Sequence, residues 1–278
     1  MIFALSFSVA LASVFWQAPD TQGAQLQGSP SQLVSEVIAN ELKAQQDDRS
    51  LWCYRQIQRT DQGAEELEVV DTPEGSIHRV LKRDGQPLSF EDAGREEDRI
   101  RRLVENPKEF QKRAKAAEKD ADEERQLLEM LPFAFEFRFS SRDGDTVKLD
   151  FSPRASFRPE RREGQVFRHM VGSVFLRLPE KRLMRMQGQL VSEVKFFGGV
   201  LGYLAKDGTF DVSQSDVGGG HWEMTRLHVK MRGKALFFKT ISVNQNEEDS
   251  DFRPVSANIT IEEAAKILDS VEKPSAAN

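Results

Sequence analysis

Alternation of apolar and polar residues at period two dominates the chain. In FAFEFRF, Phe133, Phe135, Phe137 and Phe139 fall on one side and Ala134, Glu136 and Arg138 on the other. Asp143-Gly144 signals a turn, after which Val147, Leu149 and Phe151 oppose Thr146, Lys148 and Asp150. This pattern predicts a hairpin with one wet and one greasy face. Further strands are expected over Val166–Leu178, Arg182–Ser192, Val194–Ala205, Thr209–Val217, Trp222–Met231 and Ala235–Asn244. The connections PEK, KDG, GGG and RGK are short, which implies an antiparallel meander. Trp222 and Met224 share one parity, while Leu227, Val229 and Met231 take the other. That change of phase predicts a bulge or strong twist near Thr225. Upstream, LWCYRQIQ, EELEVVD and GSIHRVLKRDGQP read as three more strands, with Asp84-Gly85 as a turn.

Helical spacing occurs in three places. Leu33, Val34, Val37, Ile38 and Leu42 predict an amphipathic helix over Ser31–Gln46. Glu91–Arg125 is dense in charge, with a narrow stripe of Ile100, Leu103 and Val104, a break at Pro107, and a resumption at Phe110, Ala114 and Ala117. Two helices inserted between strands are expected, acting as a solvated pair or as a mobile lid. TIEEAAKIL begins with a capping box from Thr260 to Glu263.

KFFGGVLGYLAKDGTF, from Lys195 to Phe210, is the most apolar stretch after the N-terminus and carries four glycines. It is too short for a membrane helix. No strand–glycine–helix unit surrounds it, which removes a phosphate-binding loop. A strand buried on both sides and bent at its glycines remains.

Composition refines this picture. The 278 residues suffice for one large domain, and the formal charge of −6 argues against nucleic acid as a partner. There are 19 Phe but 2 Tyr, which favours greasy surfaces over polar recognition. MIFALSFSVALASVFW is apolar and uncharged, with Ala10-Leu11-Ala12 or Ala18 as small-residue cleavage positions. The expected layout is a signal peptide at 1–18, a linker at 19–30, one domain over 31–272 with a charged insert at 91–128, and a tail at 273–278. A periplasmic or secreted location follows from that leader. Cys53 stands alone, so no internal disulfide is expected, and its setting between Trp52 and Tyr54 reads as packing. His78, His169, His221 and His228 have no zinc-type spacing, and no serine sits in a nucleophile elbow. Asp216 and His221 flank VGGG and read as a turn. Neither catalysis, nor a metal, nor a cofactor is expected.

The fold class expected is mainly β with helices (α+β). It is a single unclosed antiparallel barrel of about 11 strands, with helices over its concave face. GSVFLRLPEKRLMRMQGQLVSEVKFFGGVLGYLAKDGTFDV and HWEMTRLHVKMRGKALFFKTISV resemble the outer-membrane lipoprotein carrier and sorting family, the Lol-type carriers. The resemblance covers most of the chain after about residue 31. It implies a half-barrel that binds acyl chains under helical lids. The candidate apolar lining is Phe133, Phe135, Phe137, Phe139, Val147, Leu149, Phe151, Met184, Met186 and Leu190. The expected function is non-enzymatic carriage of a lipid or an acylated lipoprotein by a monomer. The alternative is an envelope sensor or interaction module whose charged helices dock a protein partner. A face of this kind is either a pocket or a permanently filled core.

Overall fold

The computed structural model describes residues 28–159, 161, 163–196, 202–235 and 239–270. The expected leader, most of the linker, and the tail lie outside the described residues. Helix α1 spans Pro30–Asp47; the Ser29 hydroxyl accepts the Gln32 N–H as its N-cap, and Pro30 sits where a helix lacks an N–H partner anyway. The strands β1 (Leu51–Thr60), β2 (Gly63–Thr72) and β3 (Gly75–Arg83) form the expected meander. Asp84 and Gly85, with φ of 49° and 77°, turn the chain into the two-residue β4 (Gln86–Pro87). The charged segment then forms α2 (Phe90–Glu105) and α3 (Pro107–Ala134), broken at Pro107 as the pattern predicts.

The second half holds β5 (Phe135–Asp143), β6 (Thr146–Pro153), β7 (Met170–Arg177), β8 (Arg182–Leu190), β9 (Val194–Phe196) and β10 (Gly202–Leu204). After these come β11 (Thr209–Gly218), β12 (His221–Ala235), β13 (Lys239–Val255) and α4 (Ile261–Ser270). The thirteen strands among the described residues belong to one antiparallel sheet in the order β4-β3-β2-β1-β13-β12-β11-β8-β7-β6-β5, with β9–β10 attached beside β12. The sheet is unclosed. Its two edges, β4 and β5, are joined in sequence only by α2 and α3. The 28 residues of α3 extend about 42 Å at 1.5 Å per residue, and the helix contacts β3 near one edge and β5 at the other.

Four expectations need correction. Phe133 and Ala134 finish α3, so the strand begins only at Phe135. Glu163–His169 is a 3-10 turn and delays β7 to Met170. Val194–Ala205 is not one bent strand: β9 and β10 pair antiparallel, Phe196 with Gly202 and Val194 with Leu204. The Gly198-Gly199-Val200-Leu201 stretch between them lies outside the described residues. Finally, Arg232-Gly233-Lys234 is no turn, because β12 continues through it. A Cβ on Gly233 would lie 2.1 Å from the Tyr203 carbonyl oxygen. That glycine admits β10 against β12; it does not reverse the chain. The predicted bulge does occur: Ser213 pairs with Arg226 and Gln214 with Met224, leaving Thr225 extra.

Cross-strand partners define the two faces. Leu149, Val174, Met186, Val212, Leu227, Glu247 and Gln58 follow one another across β6, β7, β8, β11, β12, β13 and β1. Directly paired residues share a side, so these mark one face, the inner one. At its β5–β8 end α1 and the C-terminal turns of α3 close the main core. There Val34, Val37, Ile38 and Leu131 meet Phe135, Val147, Leu149, Phe151 and Leu176. On the opposite face of β1–β3, α4 and the end of α2 form a second core from Cys53, Val70, Ile77, Ile100, Leu103, Ala264 and Leu268. The sequence led to the expectation that the helices cover the concave face; α1 and the end of α3 do so, whereas α4 and the end of α2 pack on the other side of β1–β3. The α4 capping box does form, with Thr260 N–H donating to Glu263 at 2.9 Å and Glu263 N–H donating to Thr260 Oγ1 at 3.2 Å.

Candidate functional site

The ten candidate lining residues separate into three groups. Phe135, Phe137, Val147, Leu149, Phe151 and Leu190 are buried in the main core. Phe135 lies 4.5 Å from Phe151 and 5.4 Å from Phe167, ring centre to ring centre. These rings fill the space beneath α1 and leave it as solid interior. Phe133 and Phe139 are exposed, at 69% and 50%, the first on a helix end and the second just before a bulge at Ser140. Met184 is the extra residue opposite β7 and lies beside Thr146, whose hydroxyl is 3.5 Å from its sulfur. Only Met186 stands at the border of the core, half-buried.

α1 is fixed there by a residue that its apolar stripe does not reveal. Glu41, 4% exposed, accepts two N–H groups of Arg182 at 2.9 Å, the Leu183 backbone N–H at 2.6 Å and the Gln214 side chain at 2.9 Å. Both carboxylate oxygens are satisfied, which makes a buried charge tolerable.

Beyond Met186 the inner face changes. Phe210, Val212, Leu227 and Val229 are half-buried. Val212, Leu227 and Val229 belong to no core cluster, and no described helix packs squarely on β11, β12 or β13. Among the described residues, then, a half-buried apolar strip lies between two helix-packed ends.

The strip runs into a polar aromatic zone. Leu227 pairs directly with Glu247, and Asp249 and Tyr54 continue the same side on β13 and β1. Tyr54 stacks on Phe252 at 5.1 Å, and Trp52 meets Phe252 edge-on at 6.2 Å and His221 at 5.7 Å. The carboxylates here have neutral partners: Ser76 on Asp71, Gln245 on Glu247 and Gln56 on Asp249. Among the described residues none of Asp71, Glu223, Glu247 or Asp249 forms an ion pair with Lys or Arg. Burial, then the charges of Asp71 and Asp48, raises Glu223 to about 7. Burial likewise raises Asp249 to about 6, with Glu247 and Asp71 adding to it. Asp71 and Glu247 move up for the same first reason. No cluster of three His, Cys, Asp or Glu among the described residues has a metal-binding arrangement.

At the rim, Asp48, Ser50 and His221 meet. His221 Nδ1 is 2.9 Å from Asp48 and 3.2 Å from the Ser50 hydroxyl, which itself donates to Asp48 at 2.5 Å. Both partners use one ring nitrogen, unlike a nucleophile–base–orienter relay, which needs both. Burial raises Asp48, but hydrogen bonds from Ser50 and His221 outweigh it and hold the group at about 2. Asp216 instead accepts the Gly218 and Gly220 N–H groups, confirming that VGGG is a turn. Cys53 is buried, and burial with a hydrogen bond to Glu68 pushes its thiol up to about 12, far from a thiolate at neutral pH. Two recesses lie elsewhere. One of about 390 Å³ opens beside Gln187, Gln189, Asp211 and His228; the other, of about 240 Å³, sits between the β2–β3 turn and Leu103 and Phe110.

The lining proposed from periodicity is mostly interior, and the half-buried strip and its acidic end were not identified from the sequence. Gln245, Glu247 and Asp249 do alternate within NQNEEDSD, which is the one sequence signal for a face there. Comparison with protein-family models, curated proteins and solved structures finds no match for this chain.

Proposed function

We propose that the protein is an exported, non-enzymatic lipid-binding half-barrel that holds an acyl chain along the open strip of its inner face. One observation carries the reading: Met186, Val212, Leu227 and Val229 stay half-buried in the middle of a sheet whose ends are sealed by helices. A contiguous apolar surface left in water costs roughly 25 cal/mol per Å², and proteins seldom keep one without use. The uncharged apolar N-terminal sequence supports export. The core under α1 holds that helix in place, so the chain would enter beside α1 and not beneath it.

Native mass spectrometry of protein purified from an envelope extract tests this. The expected result is a co-purified lipid mass, lost in Val212→Asp with Leu227→Asp. Protein that arrives empty and displaces no fluorescent fatty-acid probe would overturn the reading. It would leave the half-barrel as a structural or sensing module.

A further inference from the structure

The two margins of the sheet differ. At one, β4 is two residues long, and beside it Glu96 and Arg99 of α2 engage the Val80 N–H and the His78 carbonyl of β3. At the other, β5 runs nine residues with β6 as its one strand neighbour. Pro153 lies opposite Phe135 and has no N–H, and the Arg154 N–H donates to the Ala134 carbonyl at 2.8 Å. Peptide groups alternate in direction along a strand, so those of Glu136 and Arg138 face β6, while those of Phe137 and Phe139 turn to the outer margin. The Phe135 carbonyl shares that outward direction and accepts the Arg154 guanidinium at 2.9 Å. Among the described residues no turn, loop or cap hydrogen bond reaches the Phe137 or Phe139 backbone. The bulge at Ser140 ends the regular stretch, so FEFRF is what this margin offers to another strand.

That stretch is complementary to itself. Centred on Phe137, an antiparallel second copy sets Glu136 against Arg138 and Phe135 against Phe139. Glu136 and Arg138 are both exposed, and among the described residues neither forms an ion pair. Phe139, 50% exposed, would gain an aromatic neighbour. Registers centred on Glu136 or on Arg138 bring like charges face to face and are disfavoured. We propose that β5 pairs with β5 of a second copy about a two-fold axis at Phe137. Each Phe137 N–H donates to the other copy's Phe137 carbonyl, and Glu136 of one protomer meets Arg138 of its partner. The β4 margin is occupied by α2, so assembly closes at two copies. A short edge buries little area, which makes the pair weak and dependent on concentration. The monomer expected from the sequence is then the dilute form. This pairing is independent of any bound lipid.

Sedimentation velocity from micromolar to near-millimolar concentration tests it, on protein purified from an envelope extract. The expected result is a monomer that gives way to a dimer, with no larger species. Glu136→Arg and Arg138→Glu should each weaken the dimer about tenfold, because attractive cross-strand pairs become repulsive on both sides of the axis. The two changes together restore opposite charges and should recover most of the affinity. Phe139→Pro removes an outward N–H while sparing the ladder to β6 and should abolish the dimer. A protein that stays monomeric throughout would overturn the pairing, as would a dimer that none of these variants weakens. A dimer weakened by both single changes and not recovered by the double change would overturn the register at Phe137.

Discussion

Phe137 and Arg138 are neighbours with opposite surroundings: Phe137 is 7% exposed within the main core, and Arg138 faces water. Phe137→Asp should lower stability by about 4 kcal/mol, since it removes a packed ring and buries an unpaired carboxylate. Arg138→Asp should stay within about 0.5 kcal/mol. Chemical denaturation of the two variants checks this, and equal shifts would refute the alternation. The raised carboxylates have a signature of their own. Glu223 has an ordinary value of 4.5 and a folded value of about 7, so its neutral form favours the folded state. Its contribution is complete below 4.5 and disappears as pH rises through 7; for Asp249 the limits are 3.8 and about 6. The ligand-free protein should therefore gain melting temperature from pH 8 to pH 5 relative to Glu223→Gln with Asp249→Asn. A constant difference between the two proteins across that range would show these groups to be ordinary surface acids.

Helix α1 depends on Glu41 more than on its exposed acids. Glu41→Ala strips Arg182 and a backbone N–H of their acceptor and should cost about 3–5 kcal/mol, whereas Glu36→Ala, an exposed pairing with Lys181, should leave the melting temperature unchanged. α2 differs from the mobile lid that its charge density predicts. Glu96, 7% exposed, accepts the Val80 backbone N–H at 2.9 Å, and the Arg99 guanidinium donates to the His78 carbonyl oxygen at 2.5 Å. Such contacts stitch α2 to the edge of β3 and cover its unpaired groups. In hydrogen exchange, α2 should be protected and the charged middle of α3 should exchange quickly. Slow exchange throughout α3 would contradict this. These elements also show what sequence could reveal. Long alternating segments and capping signals placed α1, β1–β3, β5–β8 and α4 closely, because period and caps are local. Glycines misled twice, since a tight hairpin, a bend and a close strand approach all require the same residue. Gly233 serves β10, a partner thirty residues upstream, and no local signal announces it.

At the scale of the whole molecule, the inner face decides between core and site through distant packing. Phe135 and Val212 are both apolar inner-face residues, and only the docking of α1 makes one interior and the other surface. The acidic end likewise gathers Asp71, Glu223, Glu247 and Asp249 from three separated strands, so no window of sequence contains it.

The two free margins of the sheet never hydrogen-bond to each other; one rod of backbone spans the distance between them. α3 is anchored near Phe110 at one end and Leu131 at the other, both buried, while most of its middle is solvated. If this rod works as a caliper, its length and the curl of the sheet must match. Seven added residues in the solvated section, two turns, would move its anchors apart by about 10.5 Å without altering a strand contact. A longer rod should raise the radius of gyration in X-ray scattering, and no change would mean that the margins are held apart by something else. Lengthening one surface helix is thus a way to widen the opening of such a sheet while leaving its strand pairing as it is.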